Sequence, residues 1–281
     1  MRGAGTIRDL RAAPARATIW DCKAADRMFR GLDDSLRGNL RATNQREAVI
    51  EAMRDNGGYA TLGELYKMAL KVPGVIWETK TPFKSINRIV QNSKYFFRIR
   101  PGLWALLEAK DKLPDDLTQK SKPESDHAYY QGLLVELGNI RKHGTYVPKQ
   151  DRGKLFLGKP LGSFVTVEDI YPFTYPDVTS RAAAVDVVWF DQWKFPVEFI
   201  EVENTTDINS ALLKFVLLYA FHCTFRVVAP ATRKREFESK LHHRSFATVA
   251  ERTKFTSYDL VATMHTKASE SAAVEQAWVG S

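Results

Sequence analysis

The chain has 281 residues, 44% of them hydrophobic and 26% charged, a composition typical of a folded, water-soluble protein. No apolar run approaches the roughly 20 residues that a membrane-spanning helix needs, and two cysteines, Cys22 and Cys223, are too few for a disulfide framework. The formal net charge is +8, which favours binding to a polyanion because Lys and Arg displace the counterions around phosphates. These properties argue against a membrane protein and a disulfide-stabilised secreted protein, and we expect a cytoplasmic location.

The composition changes along the chain and predicts several segments. Residues 1–42 form a basic N-terminal extension, and residues 43–107 carry dense helix and turn patterns. Residues 108–125 are polar and charged, include prolines and lack aromatic side chains, which indicates a linker. Residues 126–281 then form a second, larger domain. The sequence therefore predicts a multidomain protein.

Three helix starts follow one another in the second segment. Asn44 with Glu47, and Thr61 with Glu64, match the capping-box pattern, and each pair precedes apolar residues at helical spacing. A third start lies at Pro82, because proline is favoured at the first position of a helix. We expect three short helices in this segment.

Two short strands are predicted after the third helix, at residues 95–100 and 103–106, with a turn at Pro101-Gly102. Three helices followed by a hairpin indicate a winged helix-turn-helix, in which the third helix enters a DNA groove. The hairpin, residues 95–106, is called the wing. Polar residues on the third helix and the wing are of the types that contact phosphates and base edges, although a solvated helix face is the alternative for each. The predicted DNA contacts are Lys84, Ser85, Asn87, Arg88, Gln91, Asn92, Arg98 and Arg100.

This segment resembles the HARE-HTH domain, a winged helix of bacterial restriction enzymes, of a bacterial RNA polymerase subunit and of chromatin proteins. The most specific part of the resemblance is the ending FFRIRPGLWAL, which begins at Phe96. The resemblance implies DNA binding, including the sensing of modified bases, but it does not identify the residues that read DNA.

In the second domain, the pattern predicts a helix at residues 127–142 and strands at 183–190 and 197–203. A helix at 207–221 and a strand at 224–229 follow. This order is typical of an α/β domain with a mixed central sheet.

Three acidic residues lie in the two apolar strands at 183–190 and 197–203. Glu201 and Glu203 share one face because side chains alternate along a strand, and burying two carboxylates is costly unless a cation binds them. Asp186 lies in the preceding strand and meets Glu201 if the two strands form a hairpin. Carboxylate oxygens of this kind are ligands of Mg²⁺, although an ordinary solvated face is the alternative for Glu201 and Glu203.

The spacing of Asp186 and Glu201-Val202-Glu203 resembles the PD-(D/E)xK nuclease motif, and FIEVENTTDINSALLKF resembles its EVEHTT variant. The resemblance implies a restriction-endonuclease-like fold in which Asp186 and Glu201 hold Mg²⁺ or Mn²⁺. Glu203 stands where the family usually has the Lys that positions the attacking water. Either Glu203 ligates metal or orients water, or the Lys role has moved, in which case Lys214 on the next helix is the candidate.

The first helix of such domains often supplies a further Glu or Gln, and here Glu136 and Gln131 are the candidates. No phosphate-binding glycine motif is present, so we expect no nucleotide cofactor. The combined prediction is a Mg²⁺-dependent, restriction-type endonuclease of a prokaryotic cytoplasm, which binds double-stranded DNA through the winged helix and acts as a homodimer. Two alternatives stay open: a non-catalytic DNA-binding regulator with a degenerate nuclease fold, and a polymerase-associated interaction module.

Overall fold

The computed structural model describes residues 44–77, 79–114, 117 and 123–279, so the predicted extension at 1–42 lies outside the described residues. The first part, residues 44–106, is called the N-terminal module below. Its elements are α1 (Gln45–Asp55), β1 (Tyr59–Thr61), α2 (Leu62–Met68), a 3₁₀ turn (Ala69–Lys71), α3 (Pro82–Val90), β2 (Phe96–Arg100) and β3 (Leu103–Leu106). The three strands form an antiparallel sheet in the order β1-β3-β2.

Both predicted capping boxes of the N-terminal module are formed. Asn44 accepts a hydrogen bond from the Glu47 backbone N–H, and Thr61 accepts one from the Glu64 backbone N–H, while each Glu side chain bonds back to its cap. α3 begins at its predicted proline, although its cap residue makes no side-chain hydrogen bond. The apolar faces of the three helices share a core that includes Val49, Leu65 and Ile86. The three helices and the hairpin therefore lie where the sequence predicts them.

Residues 123–279 form a C-terminal unit of helices around a central sheet. Its helices are α4 (Pro123–Ile140), α5 (Pro176–Ala182), α6 (Ile208–Leu217), α7 (Lys234–Leu241), α8 (Ala247–Ala250) and α9 (Tyr258–Val279). Its strands are β4 (Gly144–Tyr146), β5 (Leu155–Phe156), β6 (Lys159–Pro160), β7 (Val187–Phe190), β8 (Pro196–Val202), β9 (Thr224–Ala229) and β10 (Thr253–Ser257). Among the helices of the described residues, none combines the length and the apolar character that crossing a membrane requires.

Five strands of the C-terminal unit form its central sheet, in the order β10-β9-β8-β7-β4. β8, β9 and β10 run parallel to one another, whereas β7 and β4 are antiparallel to their neighbours, so the predicted mixed sheet is confirmed. Ile200 of β8 shares a core with Leu134 of α4 and Val261 of α9. Phe199 of the same strand shares another core with Leu212 of α6. Because β8 is covered on both faces, carboxylates at its end are removed from water.

The strand predicted at 183–190 is shorter in the structure, where β7 begins at Val187. α5 begins at Pro176 and continues to Ala182, and the chain then turns before it enters the sheet. Because alanine has a strong helix propensity, the alanine-rich stretch ends a helix instead of starting a strand. Asp186 therefore lies immediately before β7 and not within a strand.

The N-terminal module packs directly against the C-terminal unit. Within the predicted linker at 108–125, Leu113 and Leu117 are buried in the same core as Tyr130 of α4. Leu103 of the N-terminal module belongs to that core as well. The stretch predicted as a solvated linker thus contributes apolar side chains to the packing between the two parts.

Candidate functional site

The structure brings Asp186 and Glu201 together at one end of β7 and β8. The two strands pair antiparallel with Val187 opposite Ile200, which places Asp186 and Glu201 at the next facing positions. The Val202 backbone N–H donates a hydrogen bond to Asp186 Oδ2 at 2.8 Å, so the Asp186 carboxylate lies against the end of β8. The contact expected from a hairpin is therefore formed.

Glu201 is almost fully buried, with 2% of its surface exposed, and it binds Lys214 of α6. The Lys214 ammonium donates to both carboxylate oxygens of Glu201, at 2.9 and 2.8 Å, and to the Ala184 carbonyl oxygen at 3.1 Å. Lys214 reaches the strand because α6 packs its apolar residues, including Leu212, on this face of the sheet. Lys214, the candidate for the lysine that is missing at the Glu203 position, is therefore bound to the Glu201 carboxylate.

Burial and like charge make it costly to ionise the carboxylates of this site. The pKa of Glu201 is raised well above its ordinary value, first by burial and then by the neighbouring Asp186 carboxylate, against the opposing effect of Lys214. Burial alone would lower the pKa of Lys214, but the carboxylates of Glu201, Asp186 and Glu203 outweigh burial and raise it. The Lys214 ammonium therefore keeps its charge beside these carboxyl groups.

Glu203 lies just after the end of β8 and is 4% exposed. The Thr206 hydroxyl donates a hydrogen bond to Glu203 Oε2, and burial raises the pKa of this carboxyl above its ordinary value. Among the described residues, no group of three or more His, Cys, Asp or Glu side chains lies close enough to hold a metal ion jointly. Glu203 is hydrogen-bonded to the loop that follows the strand, and its role as a third metal ligand stays a prediction.

The two candidates on α4 have different surroundings. Gln131 is fully buried, and its amide N–H donates to the Asp186 backbone carbonyl at 3.1 Å and to Asp151 Oδ2 at 2.8 Å. Glu136 instead accepts a hydrogen bond from His265 Nε2 at 2.8 Å and lines a cavity of about 160 Å³ between α2, α4 and α9. Gln131 therefore borders the site, whereas the prediction for Glu136 is wrong because its partner lies on α9.

His127 contacts Asp186, although it is not among the site residues predicted from the sequence. Its Nε2 lies 3.1 Å from Asp186 Oδ2, and because a carboxylate can only accept, the ring N–H donates. One available signal is the spacing, since His127 and Gln131 are four residues apart and therefore share a face of α4. No motif marks a histidine near the start of a helix, and the contact depends on how α4 packs on the sheet.

Most of the predicted DNA-contacting residues are accessible. The exposed ones are Lys84, Arg88, Gln91, Asn92 and Arg98, and the half-buried ones are Ser85 and Asn87. The Gln91 amide donates to Asn87 Oδ1 at 3.2 Å, and the Lys94 backbone N–H donates to Asn92 Oδ1 at 3.1 Å, so some of these polar groups also order the end of α3. α3 thus presents a polar, basic face to solvent.

Arg100 does not fit the prediction that it contacts DNA. Its side chain is 8% exposed and pairs with Asp126 at 3.2 Å. Its guanidinium carbon also lies 5.1 Å from the centre of the Tyr129 ring. A guanidinium buried between the N-terminal module and α4 is not available to a DNA backbone. The prediction is wrong because the charge of Arg100 is used to pack the wing on α4.

A family model matches residues 109–278, which is more than half of the chain, and its description is the C-terminal domain of the type II restriction enzyme NmeDI. The matched range includes Asp186, Glu201 and Lys214. The N-terminal module lies outside it, so the resemblance to HARE-HTH stays a prediction. No curated protein and no solved structure matches the chain. By the family match, the chain belongs to the family of the type II restriction enzyme NmeDI C-terminal domain.

Proposed function

We propose that this protein is a Mg²⁺-dependent endonuclease of the restriction type, which cuts double-stranded DNA at Asp186 and Glu201. The observation that carries the proposal is the buried Glu201 carboxylate, which faces Asp186 across β7 and β8 and binds Lys214 of α6. Two carboxylates and an ammonium at one end of a sheet are groups suited to metal-assisted hydrolysis of a phosphodiester. Family membership adds support, since a restriction-enzyme domain implies DNA as the substrate.

The donor atoms of this site fit Mg²⁺. Asp186 and Glu201 offer hard carboxylate oxygens, and Mg²⁺ is usually bound through one or two carboxylates together with substrate phosphate oxygens and water. Burial, and then the neighbouring Asp186 carboxylate, raise the pKa of both Glu201 and Glu203, so ionising these carboxyls calls for positive charge beyond that of Lys214. Bound Mg²⁺ would supply that charge, polarise the scissile phosphate and lower the pKa of water. Mn²⁺ also prefers oxygen ligands and is the second expected ion.

The side chains of the protein supply the remaining functions. Lys214 carries a positive charge beside Glu201, where it offsets negative charge that develops on the phosphate during hydrolysis. Lys214 thereby takes the role of the lysine that the PD-(D/E)xK motif usually places at the position of Glu203. Gln131 binds the Asp186 backbone carbonyl and so fixes the start of β7.

We assign DNA recognition to the N-terminal module, acting as a winged helix of the HARE-HTH kind. α3 exposes Lys84 and Arg88, and the exposed Gln91 follows at its C-terminal end; side chains of these types contact phosphates and base edges. Arg98 of β2 pairs with Asp259 of α9 at 3.3 Å, but both side chains are at least half-exposed, and Arg98 is the wing cation that we expect to reach DNA. In this assignment the N-terminal module positions the duplex and the C-terminal unit cuts it.

Cutting both strands of a duplex in one binding event calls for two active sites. A two-fold homodimer provides two sites that match the symmetry of the two strands, so we propose that the protein acts as a dimer on DNA. The contact between Lys214 and Glu201 favours catalysis over a degenerate nuclease fold, because the missing lysine at the Glu203 position is the main reason to expect degeneracy. A polymerase-associated module has no comparable support.

Plasmid cleavage tests the proposal. Supercoiled plasmids with and without methylated bases are incubated with the protein in Mg²⁺ or in EDTA, and Asp186→Ala and Glu201→Ala are assayed alongside. We expect cutting in Mg²⁺, none in EDTA and loss of cutting in both variants. Asp177→Ala, which changes an exposed carboxylate of α5, should cut like the wild type. Site variants that cut as fast as the wild type would contradict the assignment of the site.

A further inference from the structure

The Asp186 carboxylate is held from two sides. The Val202 backbone N–H donates to Oδ2 at 2.8 Å from the sheet, and the His127 ring lies 3.1 Å from the same oxygen on the side of α4. The other ring nitrogen of His127, Nδ1, is buried and has no hydrogen-bond partner among the described residues. The contact with Asp186 is therefore the hydrogen bond that orients this ring.

Asp126, the residue before His127, connects α4 to the wing. Asp126 pairs with Arg100 of β2 at 3.2 Å, and the side chains of the two residues are 26% and 8% exposed. The Tyr129 hydroxyl donates to the Pro101 backbone oxygen at 2.9 Å, one residue beyond Arg100. The wing thus contacts the first turns of α4 through a charge pair and a hydrogen bond, on both sides of His127 in sequence.

The wing turn also approaches α9 closely. Gly102 has a φ of +81°, and a Cβ atom at this position would lie 3.1 Å from the Ala262 Cβ and 3.4 Å from the Tyr129 hydroxyl. A glycine is therefore needed both for the turn and for the contact. The turn at the tip of the wing therefore packs on the C-terminal unit.

We propose that His127 is a positioning residue for Asp186, and that the wing keeps His127 in place through the ion pair of Arg100 with Asp126. This inference rests on the proposed function, because it takes Asp186 as a catalytic carboxylate. Consecutive residues of a helix cannot move independently, so fixing the Asp126 side chain restricts the backbone that carries His127. Partners of metal ligands commonly set the orientation of those ligands, and their loss lowers metal affinity or activity.

The first experiment compares His127→Leu with His127→Gln. Leu keeps an apolar side chain but removes the donor, whereas Gln retains an amide N–H that can reach Asp186. We expect His127→Leu to lower the single-turnover cleavage rate and the affinity for Mn²⁺, followed by electron paramagnetic resonance, by about 10- to 100-fold. DNA affinity should not change, and Gln should restore most of both losses. Equal rates and equal Mn²⁺ affinities in the Leu variant and the wild type would overturn the proposal.

The second experiment tests the link to the wing. Arg100→Gln should lower the cleavage rate and the Mn²⁺ affinity while binding to DNA is retained. The matched control is Arg54→Gln, which removes an exposed arginine of the same module that pairs with Glu108 and should leave the rate unchanged. Combining Arg100→Gln with His127→Leu should cost no more than His127→Leu alone, because both act on the same contact. Fully additive losses would contradict the link.

The two readouts separate this inference from the proposed function. A wild-type protein that cuts DNA, with a His127→Leu variant that cuts equally well, would sink the inference and leave the proposed function intact. A wild-type protein that binds Mn²⁺ but never cuts would sink the proposed function. In that case a loss of Mn²⁺ affinity in His127→Leu would still support the positioning of Asp186. A wild-type protein that neither binds Mn²⁺ nor cuts overturns both.

Discussion

The face of α3 assigned to DNA recognition and the site assigned to cleavage differ in how they are built into the fold. Lys84 and Arg88 project from the exposed side of a helix whose other side is packed. In the C-terminal unit, Glu201 and Glu203 are 2% and 4% exposed. Exposed charges oppose folding little because water solvates them, whereas buried carboxylates near one another oppose it strongly. Exposed residues such as those of α3 can therefore change with little effect on stability, whereas the buried carboxylates reduce stability, which is expected of a site that serves catalysis.

The largest effect is expected at Glu201. Glu201→Gln keeps the shape of the side chain but removes the charge that would bind Mg²⁺, so we expect the cleavage rate to fall about a thousandfold or more, roughly 4 kcal/mol. DNA affinity, measured by fluorescence anisotropy in EDTA, should remain unchanged. A parallel loss of DNA affinity would show that Glu201 also affects DNA binding, and that binding and cleavage are not separate functions of the two regions.

A smaller loss of cleavage is expected at Lys214. Lys214→Met removes the ammonium beside Glu201 and should lower the single-turnover rate about a hundredfold, as expected for one charged donor at a reacting phosphate. Lys214→Arg keeps the charge and should recover part of the rate. If the Met variant cuts as fast as the wild type, Lys214 serves only as a counterion in the folded protein.

On α3, the expected effect is on binding and not on the chemical step. If Arg88 contacts a phosphate, Arg88→Ala should weaken binding to all duplexes alike. It should also reduce the slope of the logarithm of the binding constant against the logarithm of the salt concentration by about 1. The free energy of unfolding should change by less than about 0.5 kcal/mol, since the side chain is exposed. Lys110→Ala, which changes an exposed lysine of the same charge outside α3, is the control and should leave the slope unchanged. Equal slopes in all three proteins would argue against α3 as the DNA-binding surface.

The smallest effect is expected on stability at Glu203. Its raised pKa means that the folded protein holds a proton on this carboxyl more tightly than the unfolded chain does. The carboxyl therefore stabilises the fold below its ordinary pKa of 4.5, and this contribution is lost as the pH rises through the raised value.

Glu203→Gln cannot ionise, so at neutral pH in EDTA we expect its melting temperature to lie a few degrees above that of the wild type. The difference should disappear as the pH is lowered below 4.5, where the wild-type carboxyl is also neutral. Differential scanning fluorimetry across this range makes the measurement. A lower melting temperature of the variant at neutral pH would show that the charged form of Glu203 stabilises the fold.

The parts of the structure that the sequence predicts depend on interactions between residues that are close in sequence. The capping boxes at Asn44 and Thr61 involve only groups within one helical turn. The meeting of Asp186 and Glu201 follows from the pairing of two strands that are close in sequence, and their apolar neighbours mark both strands. The contact of Lys214 follows because the next helix must pack its apolar face on the same sheet.

Contacts between segments that are far apart in sequence are the features that no local pattern predicts. In the sequence, Arg100 is a basic wing residue of the type that binds DNA, yet it pairs with Asp126 because the wing packs on α4. Glu136 lies beside apolar residues of α4 and yet binds His265 of α9. The contact of His127 with Asp186 likewise requires α4 to lie against the sheet. In each case the partner is set by tertiary packing, which the spacing of neighbouring residues does not determine.

Titration with Mn²⁺, followed by electron paramagnetic resonance, tests whether Asp186 and Glu201 form a divalent-cation site. We expect saturable binding to the wild type that is lost in Asp186→Asn and in Glu201→Gln. Binding should also be tighter at mildly alkaline than at mildly acidic pH, because the metal must displace protons that the raised pKa of Glu201 favours. Absence of binding, or equal binding by the wild type and both variants, would show that Asp186 and Glu201 do not form a cation site.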